Sequence, residues 1–230
     1  MTERDLSHKK QIEVLYEDDA YVVFNKPAGF LVVPSPKQEK YTLEYVVNEQ
    51  YGRVKGCTLF PCHRLDRDTS GVIIFAKGRH HQEAMMDLFR QKKIKKLYIA
   101  FVHGRLKHRS GTIKLPIENQ YKENPRQRSK SAVSAITHYK VLYVKKDFSV
   151  VEVEPVTGRT NQIRIHFKQI GHPLVGERKF AFGRDYELKF KRTALHAQSI
   201  QWPKPQSHQQ IKVSVNLPKD MEVFLARHRN

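Results

Sequence analysis

Between residues 11 and 25 apolar and polar positions alternate. Ile12, Val14 and Tyr16 share one side, Glu17-Asp18-Asp19 supplies a polar turn, and Tyr21-Val22-Val23-Phe24 runs back. A period of two on both sides of a turn predicts a β-hairpin. Lys26-Pro27-Ala28-Gly29 ends it. Residues 42–50 carry a short helical pattern with Thr42 as a candidate N-cap. Residues 72–77 form an unbroken apolar run up to Lys77 and read as a buried strand. Over residues 79–92, Ala84, Met85, Leu88 and Phe89 fall on one face of a helix. Residues 96–104 return to a strand with Tyr98, Ala100 and Val102 on one side.

Residues 134–143 and 148–154 read as a second hairpin joined across Lys145-Lys146-Asp147. Residues 161–170 form a helix ended by Gly171 and Pro173. Strands at 192–202 and 211–215 and a helix at 217–227 close the chain. Residues 120–130 have no apolar period and many charges, which predicts a loop or arm. Strands and helices are interspersed, with several hairpins and no regular βαβ beat. That pattern predicts an α+β fold with a mixed, largely antiparallel central sheet and flanking helices. No internal repeat or low-complexity linker divides the chain, so residues 1–230 are expected to form a single domain. The charged arm is the only seam, and it is too short for a boundary.

Composition narrows the function. Hydrophobic residues make up 39% of the 230, enough for a proper core. Lys and Arg number 42 against 23 Asp and Glu, a formal net charge of +19. Such an excess favours a polyanionic partner, with RNA or DNA ahead of an anionic membrane surface. No apolar run approaches the roughly 20 residues of a membrane span. Residues 1–11 lack the apolar centre of a secretion signal. A soluble, cytoplasmic protein is expected. The two cysteines, Cys57 and Cys62, fit no zinc spacing and read as reduced thiols. No metal site is expected.

The densest polar cluster is residues 63–71, His63-Arg64-Leu65-Asp66-Arg67-Asp68-Thr69-Ser70-Gly71. It lies directly before the buried strand, where polar groups are costly unless they pair. Arg64, Arg67 and Asp68 imply internal pairing. Thr69 and Ser70 can bond backbone donors of the turn. Gly71 lets the backbone enter the strand without Cβ crowding. Asp68, Thr69 and Ser70 are thereby assigned to loop architecture, and Asp66 to chemistry. As a carboxylate, Asp66 is open to four roles: general base, nucleophile, metal ligand or one end of an ion pair.

Residues 63–71 have the form HRLDxxTSG, which resembles the signature of the RluA-type pseudouridine synthases. Residues 96–104 are similar to that family's KxYxAxVxG, and residues 158–166 to its GRxHQIRxH, with Asn161 where the family has His. Weaker echoes are NKPAG at 25–29, GxPLxGD at 171–177 with Glu177 in place of Asp, and LHA at 195–197. The resemblance implies the pseudouridine synthase fold and isomerisation of uridine within RNA. It makes Asp66 the nucleophile, Tyr98 the ring that stacks on the target base, and Arg164 the partner of Asp66. It extends substrate contact to Arg64, His63 and Leu195. No cofactor or metal is implied. Thr160 or Asn161 is a candidate cap for the helix carrying Arg164.

Because the reacting atoms lie inside a nucleic acid, the target base is expected to flip into the pocket. Only about 25 residues precede the NKPAG turn, so the S4-type RNA-binding domain carried by many relatives is expected to be absent. The expected partner is then a compact rRNA or tRNA stem-loop bound by a monomer. Arg90, Lys92, Lys93, Lys95 and Lys96 are candidate phosphate contacts, as are Arg126, Arg128 and Lys130 in the arm. Two other readings compete. One is an RNA-binding or ribosome-assembly factor of the same fold that has lost catalysis. The other is a metal-dependent nuclease using His63, Asp66 and Asp68, which would need a further carboxylate cluster.

Overall fold

A computed structural model of the chain describes residues 11–118, 132–180, 188–204 and 209–228. The charged arm at 120–130, with Arg126, Arg128 and Lys130, lies outside the described residues, as does most of the segment 1–11. The backbone groups into two compact units, each drawn from separate stretches of chain. One comprises Met1–Tyr98 and Leu195–Val223, the other Ile99–Ala194 and Phe224–Asn230.

In the first unit, β1 (Val14–Glu17) and β2 (Tyr21–Lys26) form the expected antiparallel hairpin. Asp18 fixes its turn by accepting the N–H groups of Ala20 and Tyr21 at 2.9 and 2.7 Å. β2 pairs antiparallel with β4 (Ser70–Lys77) along its whole length. The other edge of β4 is shared. Its start pairs parallel with β11 (Leu195–Pro203), and its end pairs antiparallel with β3 (Leu59–Pro61). β11 then continues against β12 (Gln210–Ser214). β4 starts two residues earlier than its apolar run suggests, because Ser70 and Gly71 are already paired with His196 and Ala197.

Both faces of this sheet are covered, which is why β4 is apolar without alternation. Val22, Phe24, Ile73 and Phe75 pack on one side with Leu43, Val47, Leu59 and Leu65. Tyr21, Val23, Val72, Ile74 and Ala76 pack on the other with Met85 and Trp202. Each such fully buried side chain contributes about 1.5–3 kcal/mol.

Helix α1 (Leu43–Val47) covers the first face, and Thr42 caps it by accepting the Tyr45 N–H at 3.3 Å. It runs on through a π-helical turn, Asn48–Gly52, into α2 (Arg53–Lys55). Helix α3 (Arg79–Arg90) covers the second face with Met85, Leu88 and Phe89. Ala84, expected on that face, is exposed.

The second unit holds most of β5 (Lys95–His103) and the hairpin β9 (Ile136–Val144) and β10 (Phe148–Pro155), with β6 (Ser110–Lys114) on the outer edge of β9. A small ladder joins β7 (Ile117–Glu118) to β8 (Ala132–Val133). Helix α4 (Gln162–Gln169) buries Ile163 and Phe167, the latter edge-on to Tyr139 at 5.8 Å between ring centroids. Phe101, Phe148 and Phe224 form an aromatic core, with Phe224 supplied by the last helix, α5 (Lys219–Arg227). The result is the expected α+β class with mixed, largely antiparallel pairing.

Candidate active site

Asp66 sits half-buried in the loop between β3 and β4, and the loop is tied down on both sides of it. Leu65 is buried in the core, while Arg64 faces solvent. The Thr69 N–H donates to the Asp66 carbonyl at 3.1 Å, closing a turn. The Gly29 N–H donates to the Arg67 carbonyl at 2.8 Å. Lys26 is the main fastener. Its ammonium is fully buried and donates to the carbonyls of Pro27 at 3.0 Å, Arg67 at 3.0 Å and Thr69 at 2.8 Å. Three carbonyls matched to three N–H donors make burial of that group tolerable. The sequence pattern gave Lys26 no role. The available signal was a lysine ending an apolar strand just before a proline, where a solvated side chain is hard to place.

Gly71 is dictated by contact. Its φ is +111°, and a Cβ there would lie 2.1 Å from the Ala197 carbonyl oxygen. Only glycine lets β4 and β11 approach this closely. Beside it, Ser70 Oγ and His196 Nδ1 are 2.9 Å apart in a buried pair. Ser70 thus joins the two strands. Leu195 is buried at the start of β11.

Tyr98 packs against the core cluster that holds Leu65 and Ala197. Burial, and then the negative charge of Asp66, push its pKa well above the ordinary 10. The phenol therefore stays protonated at neutral pH, suited to stacking and donating rather than to acting as a base. His63 accepts the Ile74 N–H on Nε2 at 3.1 Å, and its ring lies 5.1 Å from Phe89. Burial, followed by the nearby Lys96 ammonium, lowers its pKa to about 3. It is a neutral imidazole that ties the loop to β4. Burial raises the Cys62 thiol to about 12, so this cysteine is unreactive.

The second unit holds Arg164 on the first turn of α4. Asn161 is at the cap position but does not cap. Its φ is 55°, left-handed, and its side chain bonds no helix N–H. Gln162 anchors that end instead. Its Oε1 accepts the Arg159 N–H at 3.0 Å and the Thr157 hydroxyl at 2.7 Å, and its Nε2 donates to the Ile136 carbonyl at 2.9 Å.

Asn161 Oδ1 accepts from Arg164 Nη1 at 2.7 Å. Glu177 takes Arg164 Nε at 2.6 Å and Nη2 at 2.8 Å, and the guanidinium lies 5.1 Å from the Phe180 ring. Glu177 also accepts the N–H groups of Lys179 and Phe180 at 2.8 and 3.3 Å. Burial pushes its pKa up, but the Arg164 bonds and charge and the two backbone donors outweigh this and hold it below 4.5.

The family model for RNA pseudouridylate synthases matches residues 20–169, which span the Asp66 loop, Tyr98 and Arg164. The chain belongs to this family. It is 35% identical over 217 residues to YhcT of Bacillus subtilis, an uncharacterized RNA pseudouridine synthase, covering 92% of this chain and 70% of the relative. It is 33% identical over 211 residues to the dual-specificity RNA pseudouridine synthase RluA of Vibrio cholerae, covering 90% and 84%. Among solved structures, human RNA Pseudouridylate Synthase Domain Containing 4 shares the fold, with a TM-score of 0.77 and 23% identity over 93% of this chain and 92% of that one. The protein is thus an RNA pseudouridine synthase of the RluA type, an isomerase whose substrate is RNA.

In this pseudouridine synthase the structure brings Asp66 and Tyr98 together within the first unit, with His63, Arg64 and Leu195 in the same unit, and places Arg164 in the second. Of the basic residues near Tyr98, Arg90, Lys92, Lys93 and Lys95 are exposed, as phosphate contacts require. Lys96 is half-buried, with its ammonium 5.7 Å from the Phe89 ring. Among the described residues no helix is long and apolar enough to cross a membrane.

Proposed function

We propose that Asp66 is the nucleophile in converting specific uridines of structured rRNA or tRNA to pseudouridine. The observation that carries this reading is a carboxylate held in a loop fastened on both sides, beside a tyrosine whose pKa responds to its charge. The C1′–N1 bond breaks, the uracil turns, and a C1′–C5 bond forms. N1 gains a proton and C5 loses one, so the reaction needs no oxidant or group donor. Asp66 adds to the base, attacks C1′, or promotes a glycal route; all three use the same side chain.

Tyr98 offers the flipped base a stacking face and a neutral hydroxyl. Arg164 is the residue that the family pattern pairs with the nucleophile, a guanidinium suited to directing a carboxylate. Arg64, exposed two residues from Asp66, reaches the RNA backbone. The Leu195 strand end and the His63 segment shape the pocket wall. The excess of basic residues supplies sequence-independent affinity, and a monomer acting in the cytoplasm suffices for this chemistry. Similarity to a dual-specificity RNA pseudouridine synthase is a reason to examine more than one RNA.

The test is pseudouridine mapping of total rRNA and tRNA from cells with and without the gene, complemented by wild type or Asp66→Asn. Sites should vanish on deletion and return only with wild type, while Asp66→Asn binds RNA within about threefold of wild type. Pseudouridine made by the Asn variant would remove Asp66 from the nucleophile's role.

A further inference from the structure

Two residues of this chain depart from the family pattern: Asn161 in place of His, and Glu177 in place of Asp. Both touch the same group. Glu177 binds Nε and Nη2 of Arg164, and Asn161 binds Nη1. A bidentate pair can still hinge about the carboxylate axis. The third bond, made at the other terminal nitrogen, opposes that hinge, and the Phe180 ring closes one face. Three of the five guanidinium N–H groups are assigned in this way, and the plane of the other two is fixed with them.

The contacts are built, not incidental. Glu177 is 1% exposed and is itself held by two backbone N–H groups. Asn161 reaches its contact from a left-handed backbone that Asn and Asp tolerate better than most residues. Gln162 already anchors the helix end, so the Asn161 side chain is left to the arginine.

We infer that Asn161 and Glu177 are positioning residues for the isomerisation, acting together by setting the orientation of the Arg164 guanidinium. This rests on the reading of Arg164 as the partner of Asp66. Glu177 offsets much of the guanidinium charge, so Arg164 works chiefly through directed hydrogen bonds, and direction is what the pair supplies. Misplacement of a catalytic partner by about 1 Å costs on the order of a hundredfold in rate, whereas ground-state RNA affinity depends little on it.

The experiment is single-turnover tritium release, using bulk rRNA and tRNA labelled with 5-tritiated uridine and isolated from cells lacking the gene. RNA affinity and melting temperature are measured alongside. Asn161→Gly keeps the left-handed backbone and removes the contact. Its first-turnover rate should fall about tenfold, the effect of one hydrogen bond to a charged group, with RNA affinity within about twofold. Asn161→Asp keeps an acceptor at the same place and should stay within about twofold of the wild-type rate. Glu177→Asp should also slow the reaction, and combined with Asn161→Gly it should lose less than the product of the two single effects, because both act through one group.

Arg164→Ala separates the levels of the argument. If it is inactive while Asn161→Gly turns over like wild type, the positioning inference falls and the role of Arg164 stands. If Arg164→Ala reacts at the wild-type rate, the reading of Arg164 fails and takes the inference with it. An Asn161→Gly defect that lies wholly in RNA affinity, or strictly multiplicative losses in the double variant, would likewise overturn it.

Discussion

The Asp66 loop and the Arg164 cradle solve the same problem with different materials. The loop is held through its backbone. A buried lysine gathers three carbonyls, glycine permits strand contact, and Leu65 sits in the core. These fastenings are made to backbone carbonyls and N–H groups of the loop. The cradle is held through side chains, with glutamate, asparagine and phenylalanine around one guanidinium. A backbone fastening sets the path of the loop through groups that every residue carries. A side-chain cradle can be tuned by single substitutions, and its strength depends on a titratable group. The first arrangement suits a residue that undergoes chemistry, and the second suits one whose direction must be set.

The sharpest way to break this comparison is Lys26→Met. Methionine fills a similar volume but leaves the carbonyls of Pro27, Arg67 and Thr69 without their ammonium donor. Each buried acceptor so stranded costs about 1–3 kcal/mol, so the variant should lose about 4 kcal/mol. Its melting temperature should drop by about 10 °C. Activity should vanish even at temperatures where the protein remains folded, because the chain directly after Asp66 is released. A folded, fully active Lys26→Met would show that the loop is positioned by something other than its backbone.

Glu177→Gln tests the other half. It leaves a mostly buried guanidinium facing a neutral amide, and breaking such a pair typically costs about 3 kcal/mol or more. The sign of its pH dependence follows from the lowered pKa. A carboxylate whose folded value lies below its ordinary 4.5 adds stability that is complete above that value and is lost as pH falls through the folded value. Wild type and Glu177→Gln should therefore differ most at neutral pH and converge on acidification below about 4.5. Melting temperatures taken from pH 7 to pH 3 would show the gap closing. A gap that stayed constant would mean that the carboxylate charge is not what holds the arginine.

Much of the first unit was legible because its constraints are local. The β1–β2 hairpin announces itself by period and turn, and β4 by an apolar run that only burial on both faces explains. The nonapeptide around Asp66 stands out because so many polar groups rarely adjoin a core. Less was legible where one group acts across a long sequence separation. Lys26 meets residues 67 and 69 only after β2 and β4 pair. Glu177 meets Arg164 only after the chain turns past the end of α4. Asn161 looked like a cap because Asn favours that position, but its left-handed backbone and the neighbouring Gln162 redirect its side chain. The resemblance made Arg164 and Asp66 prominent, and the contacts give the second tier of residues its meaning.

The smallest expected effect sharpens the distinction within the first unit itself. Ser70 belongs to the same nonapeptide as Asp66, and its hydroxyl bonds His196 Nδ1 on the neighbouring strand. Ser70→Ala removes one buried side-chain hydrogen bond between β4 and β11 and none of the ties made by Lys26. It should cost about 1 kcal/mol, a fall of about 2–4 °C in melting temperature. The single-turnover rate at 25 °C should remain within about twofold of wild type. If the loop is held by its backbone, stability and activity respond separately to this substitution. If instead the rate dropped as far as in Lys26→Met, the strand-to-strand side-chain contact would be positioning Asp66. The loop and the cradle would then share one construction principle.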